Sequence, residues 1–292
     1  MIENVSRRNF LKASGGLVLA VSLPAVAQEL RLHRAYDMGA FVRIGSDNTV
    51  TVIIKHLEMG QGTYTGLPAL VAEELDADWS QMRAEGAPAD AGRYNNLFWG
   101  AAQGTGGSTA LANSYEQLRK AGAAARAMLV AAAADKWQVP ASEIRVSKGI
   151  VSHKSKKTSF GALAEAAAKQ PVPTDLPLKD PKRFKIIGRK DLPRTDARAK
   201  STGTAQFTQD VKLPGMLTAV VLHPPRFGAI PAGVDANKAR QVAGVVDVVI
   251  FSTPARSGVA VLAKDYWSAK KGRDALLVEW DESNSFKLGS AE

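Results

Sequence analysis

The 292-residue sequence contains no cysteine. Disulfides, thiolate zinc sites, haem attachment through CxxCH and iron–sulfur ligation by this chain are therefore excluded. Histidine is scarce. His33, His56, His153 and His223 lie far apart, with no HxxxH or HExxH spacing, so no metal held by protein side chains is expected. A metal carried by an organic cofactor stays compatible with the sequence. No lysine stands where GxxxxGK(S/T) needs one, which excludes a nucleoside-triphosphate P-loop. GxGxxG spacing after a first strand is missing too, which weakens a nicotinamide reading. The apolar run from Leu17 to Leu23 is too short to cross a bilayer.

What is present suits a globular chain of one large or two ordinary domains. Apolar residues make up 45% and charged residues 23%, enough for a core and too little charge for wholesale disorder. The net charge is +10, and residues 179–200 hold nine Lys/Arg against three Asp, a net of +6. No aromatic-rich recognition motif accompanies that run, so it reads as a solvated basic linker and no nucleic-acid partner is expected.

At the N-terminus, Arg7, Arg8 and Lys12 precede the short apolar run, and Ala25-Val26-Ala27 fits signal-peptidase cleavage after Ala27. Residues 6–12 resemble a twin-arginine export signal. That route moves folded proteins, so the expected location is the periplasm or the periplasmic side of a membrane. An ordinary Sec signal or an uncleaved anchor is the alternative.

Two halves flank the basic run. In the first, Phe41–Ile44 and Val50–Ile54 read as a hairpin around Gly45-Ser46-Asp47-Asn48. Leu67, Leu70, Val71 and Leu75 recur at helical spacing, which predicts a helix over 65–76. Leu111, Tyr115, Leu118, Ala125, Met128 and Leu129 predict a long helix to about Trp137, alanine-rich and so closely packed. A second hairpin turns at Lys148-Gly149. A short helix follows, capped by Thr158 or Ser159 and closed by Pro171. In the second half, residues 203–211, 215–225, 245–251, 258–267 and 276–281 read as strands, with helices over 235–243 and 267–276. This is an α+β module.

Two glycine turns stand out. Gly60-Gln61-Gly62 follows a strand and precedes a helix, and Gly104-Thr105-Gly106-Gly107-Ser108-Thr109 precedes the longest helix. A helix start presents unpaired N–H groups and a positive dipole end, and glycine lets a phosphate approach the backbone. Ser108 and Thr109 can cap the helix or donate hydroxyls to a phosphate, and Gln61 offers both a donor and an acceptor. Together these residues suit a pyrophosphate-containing ligand. Each turn taken singly is more often structural than ligand-binding, and only the pair brings the two readings level.

"EMGQGTYTGLPALVAEELDADW" and "GTGGSTALANSYEQLRKAGAAARAML" closely resemble the molybdopterin-binding large subunits of the xanthine dehydrogenase/aldehyde oxidase family, nearest to the isoquinoline 1-oxidoreductase β-subunit-like branch. Residues 200–229, 244–251 and 258–281 resemble that family's α/β hammerhead domain. The resemblance implies an α+β fold: residues 1–27 a signal, 28–178 a molybdopterin-binding α/β segment, 179–200 a linker, 201–283 the hammerhead domain and 284–292 the start of a further region. It implies that Gly60, Gln61, Gly62, Gly106, Gly107, Ser108 and Thr109 contact the cofactor. That cofactor is molybdopterin, in its cytosine dinucleotide form, carrying molybdenum on its dithiolene. The family also implies 2Fe–2S clusters on a partner small subunit, a c-type cytochrome as acceptor, and a small-molecule substrate, either an N-heteroaromatic ring or an aldehyde.

One departure is informative. The family activates a molybdenum-bound hydroxyl with a glutamate in a G-x-G-E context near the C-terminus, and that tetrapeptide does not occur here. Glu73 and Glu74 read as surface charges on a solvent-facing helix side, and Glu58 as a cap or strand-end residue. The chain is therefore expected to be the N-terminal part of a longer subunit, inactive alone and without an assigned catalytic residue. The alternative is a non-catalytic exported binding or scaffold protein.

Overall fold

The computed structural model describes residues 35–253 and 256–289. The expected export signal, residues 1–27, lies outside the described residues. The chain divides into two compact units between Ala205 and Gln206.

The first unit is built on a four-stranded sheet, ordered β1 (Ala35–Asp37), β2 (Val42–Gly45), β3 (Val50–Ile54), β4 (Met82–Gly86). Val50, Val52 and Ile54 are buried at alternate positions on β3, as a strand packed on a core requires. β2 and β3 form the expected hairpin, with Asn48 at φ 72 in its turn. β3 and β4 are parallel, so a crossover must join them. Helix α1 (Thr63–Leu75) makes that crossover and so fixes the first glycine turn at the C-terminal edge of β3.

A short helix α2 (Ala91–Tyr94) and the long helix α3 (Ala110–Trp137) follow. Ala123, Ala124, Ala125, Ala132 and Ala133 of α3 are buried, as the alanine density predicts. At Gly122 a Cβ would come within 2.6 Å of the Val71 carbonyl oxygen, so glycine there sets how closely α1 and α3 pack. β5 (Arg145–Ser147), β6 (Ile150–His153) and β7 (Lys156–Ser159) form a small antiparallel sheet. Helix α4 (Phe160–Ala168) is capped by Ser159, whose Oγ accepts from the Ala162 amide at 3.3 Å.

Two expectations about this unit are overturned. Glu73 and Glu74 are not surface charges: they are 1% and 2% exposed. The basic run is not a free connector, because these two carboxylates hold it down. Glu73 Oε2 accepts the amides of Lys185, Ile186 and Ile187 at 2.9, 2.6 and 3.1 Å. Glu74 accepts the Lys179 amide at 3.1 Å and pairs with buried Arg119 at 2.7 Å. Lys179 donates to the Glu73 carbonyl oxygen, and its ammonium reaches Asp76 at 2.7 Å. A buried carboxylate is tolerated when several donors answer its charge, and here the strap's own backbone supplies them. Pro68, inside α1, has no N–H for the Tyr64 carbonyl. The Thr195 hydroxyl donates to that oxygen at 2.6 Å instead. The strap ends in helix α5 (Ala197–Ser201).

The second unit holds an antiparallel sheet ordered β10 (Val245–Ser252), β11 (Ser257–Ala263), β8 (Thr218–Leu222), and a two-stranded sheet of β9 (Ile230–Asp235) with β12 (Leu277–Asp281). Helices α6 (Asn237–Arg240) and α7 (Tyr266–Asp274) complete it, over a small core of Ala239, Val259, Val261 and Leu276. The strand expected over residues 203–211 is absent. A 3-10 turn forms at Thr208–Asp210, and the Asp210 carboxylate takes the Phe207 amide at 2.9 Å. β9 was not evident in the sequence, because Pro231 and Gly233 break its pattern. It tolerates the proline as one of only two strands in its sheet.

Candidate functional site

The first glycine turn closes around an internal anion. Glu58 Oε1 accepts the amides of Gly60 at 2.7 Å and Gly62 at 3.2 Å, and Oε2 accepts the Tyr64 amide at 2.9 Å. Arg194 and Lys200, from the strap and α5, lie 3.2 and 3.6 Å from Oε1. The N-cap of α1 is Gly62, which has no side-chain cap, and the Glu58 carboxylate takes the first-turn amide of Tyr64 in its place, close to the capping role read from the sequence. Burial works against its charge, but the three amides and Lys200 outweigh it and hold its pKa below the usual carboxylate value. Both ends of the Gln61 side chain are used internally: Oε1 accepts from the Met59 amide at 2.6 Å and Nε2 donates to the Leu57 carbonyl at 2.7 Å.

Outward, the turn is open. Gly60 and Gly62 have φ values of 105 and 96, and an added Cβ at either meets nothing within 4 Å. Among the described residues, the amides of Gln61 and Thr63 make no hydrogen bond.

The second turn follows a loop whose Trp99 ring lies on it. A Cβ at Gly104 would come within 2.4 Å of that ring, and one at Gly106 within 3.0 Å. Gly107 and Ser108 are exposed, with φ values of 60 and 55. Neither hydroxyl caps α3. Thr109 Oγ1 donates to the Gly106 carbonyl at 2.8 Å and accepts from Asn96 Nδ2 at 2.9 Å. Asn96 is fully buried and was not singled out by the sequence. Its position in a Gly- and Asn-containing loop was the only signal.

The structure brings the two turns together. The Leu57 amide donates to Thr105 Oγ1 at 2.8 Å, and His56 Nδ1 lies 3.1 Å from the Gly104 carbonyl oxygen. His56 Nε2 faces Asn113 Oδ1 on α3 at 3.3 Å. Burial foremost, with Lys55 beside it, lowers the His56 pKa, so the ring is neutral at pH 7. A neutral ring has one proton for these two oxygens, and Gly104 makes the shorter contact. Lys55 is 3% exposed, and its Nζ has no hydrogen-bond partner among the described residues. The segments flanking the turns expose apolar side chains, Leu57, Met59, Leu97, Phe98 and Trp99. A cavity of about 480 Å³ lies elsewhere, in the second unit, lined in part by His223, Arg226, Phe227 and Arg256. No group of three or more His, Asp or Glu suited to a metal occurs among the described residues.

This arrangement can hold an anionic, phosphate-bearing ligand against backbone, with few side chains committed to it. The family described as the molybdopterin cofactor-binding domain matches residues 4–211. The β-subunit of isoquinoline 1-oxidoreductase from Brevundimonas diminuta is 35% identical, over 94% of this chain and 40% of its own length. Membrane-bound aldehyde dehydrogenase [pyrroloquinoline-quinone] of Gluconacetobacter polyoxogenes is 32% identical, over 95% of this chain and 37% of its own. A nicotinate dehydrogenase subunit from Pseudomonas putida is 29% identical, over 95% of this chain and 24% of its own. The chain thus spans two fifths or less of the length of these relatives.

Proposed function

The chain belongs to the molybdopterin cofactor-binding domain family, and from that premise we propose that its two glycine turns form one wall of the cofactor cradle in the large subunit of a molybdenum-dependent oxidoreductase. The observation that carries this reading is the junction of the turns through Leu57–Thr105 and His56–Gly104. The residues fit such a group. Gly60 and Gly62 leave room beside the backbone, the Gln61 and Thr63 amides are available to a phosphate, and Ser108 offers a hydroxyl from the second turn. Gln61 acts by holding its own turn in shape.

When bound, the pterin carries the molybdenum and supplies the redox chemistry. This chain's part is to fix the ligand and hold its position. The rest of the reading concerns a longer protein: a cytosine dinucleotide pterin, electrons passed to a 2Fe–2S subunit and on to a c-type cytochrome, and an N-heteroaromatic or aldehyde substrate. Export by the twin-arginine route, a hammerhead role for residues 201–283 and inactivity of this chain alone belong to the same proposal.

The test is to purify the full-length subunit that carries this chain and measure molybdenum by mass spectrometry and pterin as its fluorescent oxidation product. Pterin and molybdenum are expected together, and Gln61→Ala is expected to lower both. Absence of pterin from the purified protein sinks the reading. One relative's name supports a second reading, a pyrroloquinoline quinone site. The same extract then yields a quinone by mass and no pterin.

A further inference from the structure

We propose that Arg194 is a positioning residue for the cofactor: its hydrogen bond to the Gly60 carbonyl fixes the peptide that carries the Gln61 amide, so that holding the ligand depends on the strap being docked. The inference rests on the cofactor reading above. Arg194 Nη1 donates to the Gly60 oxygen at 3.0 Å, across 134 residues of sequence. That oxygen and the Gln61 N–H belong to one planar trans peptide, so they point to opposite sides. Turning the oxygen toward the strap turns the N–H away from it. Gly60, at φ 105, leaves this peptide free to rotate. Among the described residues, no other donor reaches the Gly60 oxygen. The Thr63 amide needs no such help. Its peptide partner, the Gly62 oxygen, accepts the Thr65 and Gly66 amides at 3.0 and 2.8 Å at the start of α1.

The guanidinium is fixed from its other side. Nε and Nη2 each donate to Asp196 at 3.0 Å, and Nη2 also faces Glu58 Oε1 at 3.2 Å. Lys200 closes the set, 2.6 Å from Asp196 and 3.6 Å from Glu58. Two cations thus meet two carboxylates. Arg194 foremost, with Lys200, holds the Asp196 carboxyl well below the usual carboxylate range. One residue on, the Thr195 amide donates to Thr65 Oγ1 at 3.2 Å, so the strap grips the start of α1 as well. The planar fork of arginine lets a single side chain serve the turn's oxygen and both acids. A lysine ammonium keeps the charge and loses that geometry.

The experiment uses the full-length subunit that carries this chain, as wild type, Arg194→Lys and Thr195→Val. Pterin retained per protein after gel filtration is measured, together with hydrogen exchange at the Lys185, Ile186 and Ile187 amides that Glu73 holds. Arg194→Lys is expected to retain roughly fivefold less pterin than wild type, the worth of one hydrogen bond, with exchange at residues 185–187 unchanged. Thr195→Val loosens the same stretch without touching the Gly60 oxygen and is expected to retain pterin at the wild-type level. Residues 194–196 of wild type are expected to exchange more slowly with pterin bound than in protein made by a host without pterin synthesis, because ligand and docked strap stabilise each other. If Arg194→Lys does not fold, Arg194→Gln is read in the same assay. Wild-type pterin content in the Arg194 variant overturns the proposal, as does equal exchange at 194–196 in the two forms. A pterin loss matched by Thr195→Val, or by faster exchange at 185–187, also overturns it, since a strap that only holds the unit together behaves so. Absence of pterin from wild type is a separate outcome, which sinks the cofactor reading and this inference with it.

Discussion

Thr195 supplies the hydrogen bond that Pro68 withholds from the Tyr64 carbonyl. The two residues are far apart in sequence, yet the strap places its hydroxyl 2.6 Å from the oxygen left open by the proline. Thr195→Val keeps the shape and removes the donor. It is expected to destabilise the first unit by about 1–2 kcal/mol, the cost of leaving a partly buried carbonyl unpaired. A urea titration of the variant against wild type measures it.

Glu74→Ala removes the carboxylate and leaves Arg119, 6% exposed, as a buried charge without its acid. The expected loss is about 3–5 kcal/mol. It is read as a drop in the urea midpoint and as faster proteolytic cleavage within residues 179–200.

Glu58 makes the first turn sensitive to acid. Its folded pKa is lowered, so its contribution to stability is fully present above the unfolded value of about 4.3. That contribution disappears as pH falls through the folded value. Wild type is expected to lose stability steeply below about pH 4. Glu58→Gln is expected to be less stable at neutral pH and to show a flatter curve in the acid range. Urea midpoints across a pH series check both.

Thr105→Val removes the acceptor for the Leu57 amide and loosens the join between the turns. A cost of about 1 kcal/mol is expected. Hydrogen exchange read at the Leu57 amide should quicken more than exchange within β3, and pterin content should fall.

Much of the first unit was legible in the sequence. The apolar spacing of Leu67, Leu70, Val71 and Leu75, and the alanine run of residues 121–134, gave both long helices to within two residues. Both hairpins turned where Asn48 and Gly149 allow positive φ. The closing of the two turns on each other was not legible. It depends on Thr105 and His56, whose residue types carry no signal of a contact 48 residues away. Glu73 and Glu74 were misread because adjacent acids on a helix ordinarily face water. Only the fold shows that a later stretch of backbone lays its amides on them. β4 escaped notice for a similar reason: Met82–Gly86 is polar and short, and it pairs in parallel with β3 across the whole of α1.

The anchoring of residues 179–200 bears on how this polypeptide can be divided for expression. A boundary placed at 178, where composition changes, would take the Lys185, Ile186 and Ile187 amides from Glu73, leave Glu74 with Arg119 alone, and strip Arg194 and Lys200 from Glu58. A piece that runs through Ala205 keeps those pairings and follows the division of the chain into two compact units.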